Sequence, residues 1–330
     1  MKKKIYIWCS DIDRLSGEGI LANKFVIDLK KYNPQFNLIV KSISKKKIIF
    51  LRKIFGKISD RFIIPLYGVI TLWVLYLFKQ NKKICFVNYL PLWNFLIFIC
   101  LPPKTILGPI TGGGKILEGS FYNFLTRKII FNIFYNISIN FINLRYKKIL
   151  FSTDLLKDKF KSFDKVYSNY VLKDFKYRNL KKKRIHDLVV YLRDHRNKRT
   201  DIIIKLIKEL SVQYRIVTIG KIVNHKKIKC IKKISRKKLH ILLQKTKFSF
   251  LSPENKYSFF ALDCLSNGVH VFYNKDDIPL KQMKVNMTPL NYNNSKNFLK
   301  IIKRKLDKSW SKPNKIKLNK KENFSSYFKI

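Results

Sequence analysis

The chain has 330 residues, of which 46% are hydrophobic and 14% are aromatic. A sequence of this length and composition can bury the cores of two domains, which excludes a wholly disordered protein. It has 70 Lys and Arg residues against 20 Asp and Glu residues, so the formal net charge is +50. This charge favours a polyanionic partner such as nucleic acid, an anionic membrane surface or a nucleotide-bearing substrate. A compositional bias toward lysine on solvated faces would explain the same charge without any partner.

The first half of the chain alternates short apolar runs with helical runs, which predicts a doubly wound and mostly parallel sheet. The predicted strands are Lys3–Ser10, Phe36–Val40, Ile84–Asn88, Lys104–Leu107 and Lys148–Ser152. The predicted helices are Ile20–Lys31, Phe62–Phe78, Leu90–Cys100 and Phe121–Tyr146. This order of elements is typical of the α/β class.

Two glycine-rich loops are expected to follow strands of this sheet and to face its carboxyl edge, where ligands bind. Their candidate contact residues are Gly17, Gly19, Gly112 and Gly113. The spacing is not G-x-G-x-x-G, which disfavours a dinucleotide cofactor. The loops also carry or adjoin the only glutamates of the first half, Glu18 and Glu118. Either carboxylate is a candidate to contact an acceptor or to stabilise positive charge on a reacting sugar, and either is equally well a plain loop residue.

Three features bear on cellular location. The five cysteines are scattered without a C-x-x-C pair, which favours reduced thiols in the cytoplasm. The apolar run after the first lysines is too short for a signal peptide. Phe62–Phe78 is at the lower length limit for a membrane span and contains Pro65 and Gly68, so we expect a buried or membrane-facing helix.

The basic run Lys176–Arg184 is poor in apolar residues and is interpreted as a linker. After it the alternation of strands and helices starts again. The predicted strands are His186–Leu192, Tyr214–Ile219, Ile228–Ile231, Phe248–Leu251 and His270–Tyr273. The predicted helices are Asp201–Leu210, Ser235–Lys245, Phe260–Leu265 and Asn294–Lys308, and the aromatic tail is Asn323–Ile330. The second half therefore predicts another α/β domain.

Two cations follow the first strand of this second half. Arg193 comes directly after the strand, and Lys198 lies five residues further on, just before a helix. Such a pair can bind a diphosphate and offset the charge that develops as it leaves. Gly220 ends the next strand, at a place where the backbone can approach a ligand closely. A basic turn in a basic protein is the alternative explanation.

The segment from Phe248 to Tyr273 reads as a strand, a polar loop, a short helix and a second strand. Its order resembles the signature of GT-B glycosyltransferases, chiefly glycosyltransferase family 4, in which E-G-F-G-x-x-x-L-E-A is followed by G-V-P-V. Asp263 falls on the second acid, Ser258 on the second glycine and Gly268 on the glycine of G-V-P-V. Asn255 falls on the first acid, with Glu254 one residue earlier.

The resemblance implies a GT-B fold, with two Rossmann-like doubly wound domains, 1–175 and 176–330, facing across a cleft. It implies that Asp263 accepts hydrogen bonds from the donor ribose and that Asn255 or Glu254 lies near the transferred sugar. The tail 323–330 would cross back to the first domain, as in similar enzymes. The implied reaction transfers a sugar from a nucleotide-sugar to a lipid-linked or polysaccharide acceptor, with retention of configuration, at the cytoplasmic membrane face. No metal or cofactor is implied, because the cation pair can offset the diphosphate charge and no carboxylate pair has metal-ligand spacing.

Two alternatives remain open. A basic nucleic-acid-binding protein would need a recognition motif, and no RRM, KH, helix-turn-helix or zinc pattern is present in the sequence. A catalytically inactive GT-B-like protein is suggested by Asn255, which carries no charge where the family has its first acid.

Overall fold

The computed structural model describes residues 3–12, 16–56, 58–79, 82–87, 90–111, 125, 129–160, 163, 165–178, 183–193, 200–251, 258–275, 283–291, 295–308, 315–316 and 323–329. These residues form two compact units. The first contains the described residues up to 173 together with 323–329. The second contains the described residues from 174 to 316.

The first unit is built on a parallel sheet of four short strands. They are β1 (Lys4–Trp8), β2 (Asn37–Lys41), β3 (Lys82–Phe86) and β5 (Ile106–Leu107), in the order β2-β1-β3-β5. Two further parallel pairs adjoin the sheet: β4 (Leu90–Pro91) with β6 (Ile110–Thr111), and β7 (Ile149–Leu150) with β8 (Val166–Tyr167). The apolar residues of β1 and β3 are buried, as expected for central strands of a parallel sheet.

Five helices of the first unit lie among the described residues before residue 174. They are α1 (Gly17–Tyr32), α2 (Lys45–Phe55), α3 (Ile64–Phe78), α4 (Phe95–Cys100) and α5 (Phe131–Arg145). A π-helical turn, Ser59–Ile63, leads into α3, and the combined 20-residue helix is long and apolar enough to cross a membrane by length and composition. Its inner face packs on the sheet, because Gly68 leaves room for the Trp8 ring; a Cβ there would lie 2.1 Å from the Trp8 indole nitrogen.

The last described residues of the chain also belong to the first unit. Helix α10 (Ser325–Phe328) ends with Phe328, whose ring stacks on Tyr32 with the centroids 5.7 Å apart. Asn33 Nδ2 donates a hydrogen bond to the carbonyl oxygen of Phe328 at 2.6 Å. The Tyr327 hydroxyl donates to the carbonyl oxygen of Leu107 at the end of β5. The aromatic tail is therefore part of the first hydrophobic core.

The second unit has one parallel sheet of six strands. They are β9 (His186–Leu192), β10 (Ile216–Gly220), β11 (Ile228–Ile231), β12 (Thr246–Phe250), β13 (His270–Asn274) and β14 (Met287–Leu290). Their order is β11-β10-β9-β12-β13-β14, which is the 3-2-1-4-5-6 order of the Rossmann fold. Its helices are α6 (Thr200–Leu210), α7 (Arg236–Gln244), α8 (Phe259–Ser266) and α9 (Ser295–Asp307). Ser235 and Ser258 cap α7 and α8 by accepting hydrogen bonds from the backbone N–H groups of Lys238 and Ala261.

Arg184, the last residue of the predicted linker Lys176–Arg184, is packed inside the second unit. Its side chain is buried, and its Nη2 donates to the carbonyl oxygens of Asn267 at 2.8 Å and Gly268 at 3.3 Å. Its Nη1 donates to the carbonyl oxygens of Leu243 at 2.6 Å and Thr246. A guanidinium with several donors can satisfy the unpaired carbonyls at two helix ends, so this residue anchors the second unit.

Two local predictions for the first half also need correction, and one helix was not predicted. Leu90–Cys100 is not one helix, because Leu90 and Pro91 form strand β4 and α4 begins only after Asn94. The residues Gly17 to Gly19 are not a loop but the first turn of α1, capped by the hydroxyl of Ser16. Helix α2 was not predicted, since it is rich in lysine and none of its residues is fully buried.

Gly220, the last residue of β10, has a conformation that a larger residue would strain. Its φ is +99°, and a Cβ would lie 2.2 Å from the carbonyl oxygen of Leu192 on the neighbouring strand β9. The close approach at Gly220 is therefore between the backbones of two strands, β9 and β10. A contact with a ligand at this glycine remains a prediction.

We expect Gly220→Ala to lower the free energy of unfolding by more than the roughly 1–3 kcal/mol that a positive φ alone costs, because the backbone oxygen of Leu192 cannot move away. Gly56→Ala is the matched control, since Gly56 also has a positive φ of +54° but no atom within 4 Å of a Cβ. Urea denaturation of wild type and of both variants measures how far each substitution lowers the free energy of unfolding. Equal losses in the two variants would show that the strand contact is not what requires Gly220.

Candidate functional site

The strand order of the second sheet reverses between β9 and β12. From β9 the chain proceeds outward through β10 and β11, and after crossing back it proceeds the other way from β12. In open parallel sheets, ligands bind outside the carboxyl ends of the strands at such a switch point. Arg193 follows β9 directly at this edge, and its side chain is exposed. Gly220 is paired with Leu192 at the same edge.

The first turn of α8 lies beside the carboxyl end of β9. The rings of Tyr191 on β9 and Phe260 on α8 have their centroids 5.4 Å apart. Ser258, one of the predicted site residues, caps this helix with its hydroxyl. A helix N-terminus carries unpaired N–H groups and a positive dipole end, so the structure places an anion-attracting helix end and Arg193 at one edge.

Tyr191 is a candidate site residue that the sequence interpretation missed. It is 42% exposed although it lies on a central strand, whereas the residues on either side of it, Val190 and Leu192, are buried. An exposed aromatic ring at the switch point can stack on a base or a sugar ring. The signal in the sequence is a single aromatic residue two positions before Arg193. Apolar patterning alone assigns this aromatic residue to the core.

Asp263, on α8, is only 6% exposed and is held from the neighbouring helix α7. Arg236 Nη2 donates to its Oδ1 at 2.9 Å, and the guanidinium also lies 5.8 Å from the ring centroid of Phe259. The Nε2 of His240 is 3.7 Å from the same oxygen. Asp263 therefore belongs to a cluster of side chains from two helices and is not a surface carboxylate.

His240 lies beside Asp263, and its surroundings favour the neutral form of the ring. Burial lowers the pKa of His240, the Asp263 charge opposes this, and the charges of Arg178 and Arg236 lower it further. Asn267 Nδ2 lies 2.8 Å from His240 Nδ1 and also donates to the carbonyl oxygen of Asp263. An amide donor at Nδ1 assigns the ring proton to Nε2, which faces the carboxylate. The sequence does not indicate Arg236 and His240 as partners of Asp263, because they lie 27 and 23 positions before it in the chain.

Glu18 is the described catalytic candidate of the first unit. It lies half-buried in the first turn of α1, close to the carboxyl end of β1. Burial, with a smaller contribution from the charge of Asp11, raises the pKa of Glu18 to about 7. Asp11 itself accepts a hydrogen bond from the hydroxyl of Ser16. A carboxyl group with this pKa can exchange a proton near neutral pH, which is the property of a general acid or base.

The remaining predicted site residues lie outside the described part of the chain. They are Gly112, Gly113, Glu118, Lys198, Glu254 and Asn255. The prediction that Lys198 pairs with Arg193 therefore stays a prediction, as does the assignment of the first acid to Asn255 or Glu254. Within the described ranges, no group of three or more His, Cys, Asp or Glu residues could hold a metal ion.

Comparison with solved structures identifies the fold. The Anabaena protein HepE in complex with UDP-glucose superimposes with a TM-score of 0.55 at 12% identity, over 92% of this chain and 90% of that chain. UDP-GlcNAc 2-epimerase from Methanocaldococcus jannaschii superimposes with a TM-score of 0.52 at 12% identity, over 100% of this chain and 98% of that chain. The fold is GT-B. This confirms the fold class predicted from the sequence, whereas no protein-family model and no curated protein matches the sequence.

The raised pKa of Glu18 makes stability depend on pH. Between pH 4.5, the ordinary pKa of a glutamate, and about pH 7, the folded chain holds a proton that the unfolded chain has released. The free energy of unfolding should therefore fall as the pH rises through this window. We expect Glu18→Gln, which cannot ionise, to be more stable relative to wild type at pH 8 than at pH 4.

Thermal unfolding of both proteins from pH 4 to pH 8 measures this difference. Glu209→Gln is the control, because it makes the same change at a side chain that is 52% exposed on α6. If the difference for Glu18→Gln varied with pH no more than that for Glu209→Gln, burial would not raise the pKa of Glu18.

Proposed function

We propose that the protein is a glycosyltransferase that transfers a sugar from a nucleotide-sugar donor to an acceptor. The observation that carries this proposal is the switch point of the second sheet, where Arg193 and the N-terminus of α8 lie at one carboxyl edge. The GT-B fold supports it, because HepE, with the same fold, has been crystallised with UDP-glucose. A diphosphate needs cationic and N–H donors, and this edge has both.

Each site residue has a role in this proposal. Arg193, together with Lys198, binds the donor diphosphate and offsets its charge as it leaves. Asp263 accepts hydrogen bonds from the ribose hydroxyls, and Arg236 fixes the orientation of its carboxylate through the 2.9 Å contact. Tyr191 offers an exposed ring for stacking. Asn255 or Glu254 contacts the transferred sugar, as the family resemblance implies.

We assign the first unit to the acceptor side of the reaction. Glu18 has a pKa of about 7, so near neutral pH its carboxyl group is divided between the two protonation states. It therefore suits proton exchange with an acceptor hydroxyl better than permanent stabilisation of a cationic sugar ring. Glu118 remains the second candidate. Retention of configuration, the outcome typical of the family that the chain resembles, is part of the proposal.

We also propose a lipid-linked or polysaccharide acceptor at the cytoplasmic face of the membrane. The net charge of +50 and the apolar helix α3 support this location, because anionic lipid attracts clustered lysines beside apolar anchors. No cofactor or metal is included in the proposed reaction.

A second candidate function is epimerisation of a nucleotide-sugar. UDP-GlcNAc 2-epimerase from Methanocaldococcus jannaschii shares the fold over the whole of this chain. The two activities differ in what they need, since an epimerase changes the sugar of UDP-GlcNAc without an acceptor. Conversion of UDP-GlcNAc alone would select the epimerase, and release of UDP that depends on an added acceptor would select the transferase.

The donor site is tested by calorimetry with UDP and UDP-glucose. We expect Arg193→Ala to weaken the binding of both by roughly 1.5–3 kcal/mol, the contribution of a hydrogen bond to a charged group. Arg304→Ala is the matched control, because Arg304 is an exposed arginine on α9, away from the switch point. Equal affinities in Arg193→Ala and Arg304→Ala would contradict the assignment of the diphosphate site.

The role of Asp263 is tested by comparing UDP with 2′,3′-dideoxy-UDP. Asp263→Asn should weaken the binding of UDP by about 1–3 kcal/mol, because the ribose hydroxyls lose their charged acceptor. It should leave the binding of the dideoxy nucleotide unchanged, since that ligand has no hydroxyls to place there. Arg236→Ala should weaken UDP binding by a smaller factor, because it frees the carboxylate to turn. If Asp263→Asn weakened both nucleotides equally, its effect would be on the fold of α8 and not on the ribose.

A further inference from the structure

The outer side of α3 is an exposed apolar stripe. Its residues recur at helical spacing along one face: Tyr67, Ile70, Val74, Leu77 and Phe78. Their exposed fractions lie between 40% and 78%. The stripe covers 11 residue steps, or about 16 Å of helix. Single exposed apolar residues are common on soluble proteins, but a continuous row of large ones usually indicates an interaction surface.

Helix α2 and Ile58, which directly precedes the π-helical turn, extend this surface. The side chains of Ile49, Phe50, Ile54, Phe55 and Ile58 are between 46% and 66% exposed. Lys47 of α2 places its ammonium group 5.9 Å from the ring centroid of Tyr67, the first residue of the stripe. A hydrogen-bonded ion pair, Arg52 with Asp60 at 2.9 Å, also joins α2 to the π-helical turn before α3. We call this combined α2 and α3 surface the docking face.

Positive charge surrounds the docking face. Residues 42 to 79 include eight Lys and Arg residues and a single acid, Asp60, which is paired with Arg52. Lys46 and Lys53 are exposed on α2 between its apolar residues, and Lys79 is exposed at the end of α3. Apolar side chains with interspersed lysines are typical of helices that lie in the plane of an anionic membrane surface.

A membrane span is incompatible with the packing of α3. The opposite side of this helix buries Ile64, Val69 and Leu72, and Gly68 lies against Trp8 of β1. A helix that crossed the bilayer would lose these contacts with the first sheet. The apolar stripe can instead enter the lipid while the inner side stays on the protein core.

A second copy of the chain is a poorer partner for this surface. In a two-fold dimer the same patch faces itself, so the lysines of one copy would oppose those of the other. Like charges placed together across an interface are repulsive. Residues 42 to 79 contain a single acid, Asp60, that could offset this repulsion. A bilayer with anionic headgroups satisfies both the apolar and the cationic parts of the surface.

We propose that the docking face binds the surface of an anionic bilayer, with α2 and α3 lying in the plane of the interface. The apolar side chains would enter the boundary between headgroups and acyl chains, and the lysines would contact the lipid phosphates. The docking face would attach the protein to the membrane, the location already proposed for its reaction. The proposal rests on residues other than those of the donor site, so it can fail without affecting the glycosyltransferase proposal.

Vesicle sedimentation of the full chain tests the proposal. The probes are phosphatidylcholine vesicles with and without about one third phosphatidylglycerol, at low and high salt, since salt screens the attraction to anionic lipid. We expect wild type to bind the anionic vesicles and high salt to weaken that binding. Phe50→Gln with Ile54→Gln, and Ile70→Gln with Leu77→Gln, should each lower the binding at least tenfold. Lys46→Glu with Lys53→Glu should do the same.

Two control variants carry the same kinds of change elsewhere. Ile133→Gln with Leu144→Gln alters exposed apolar residues of α5, and Lys300→Glu with Lys308→Glu alters exposed lysines of the second unit. Both controls should bind vesicles like wild type, and all variants should keep the wild-type affinity for UDP. An equal loss of vesicle binding in the control variants would overturn the assignment of the docking face. The assignment would also be overturned if the protein formed a dimer that the α2 and α3 variants dissociated. It would equally be overturned if only detergent released the protein from membranes.

Discussion

The architecture of the second unit depends on one buried cation. Arg184 precedes β9 at the amino edge of the sheet and donates hydrogen bonds to carbonyl groups at the ends of α7 and α8. The carbonyl end of a helix has a negative dipole, so a guanidinium there stabilises both helices at once. Burial lowers the pKa of Arg184 to about 10, and the group is still charged at neutral pH. With their last turns held at the amino edge, both helices direct their first turns, and with them Arg236 and Ser258, to the carboxyl edge.

Basic side chains also stabilise the carboxylates that are buried in the interior of the protein. The acidic residues buried within the described ranges are Asp28, Asp187 and Asp263. Each has a basic partner: Lys173 for Asp28, Lys247 at 2.8 Å for Asp187, and Arg236 for Asp263. A buried carboxylate needs such a partner, because leaving it unpaired would cost several kcal/mol. The three buried carboxylates are therefore each stabilised by a basic side chain.

The sequence predicted the second half better than the first, for physical reasons. Strand β9 was predicted with its observed bounds, and the serine caps of α7 and the glycine after α8 mark those helices clearly. In the first half, long apolar runs carry no period, so Leu90–Cys100 read as a helix although Pro91 belongs to a strand. Helix α2 was overlooked because it depends on contacts along a partly exposed face. The partners of Asp263 and the burial of Arg184 could not be predicted, since both depend on side chains that meet only after the sheet has formed.

The aromatic tail has a consequence for biosynthesis. Residues 323–329 complete the core around Phe25, Tyr32 and Tyr170, although the rest of that unit ends at residue 173. A ribosome adds roughly 5–20 residues per second, so the first unit waits about 8–30 s for its last aromatic side chains. During that interval the second unit can fold as soon as it emerges, because its own elements are contiguous. The half that is translated first is therefore the last to finish folding, and until then its exposed aromatic side chains are open to chaperones.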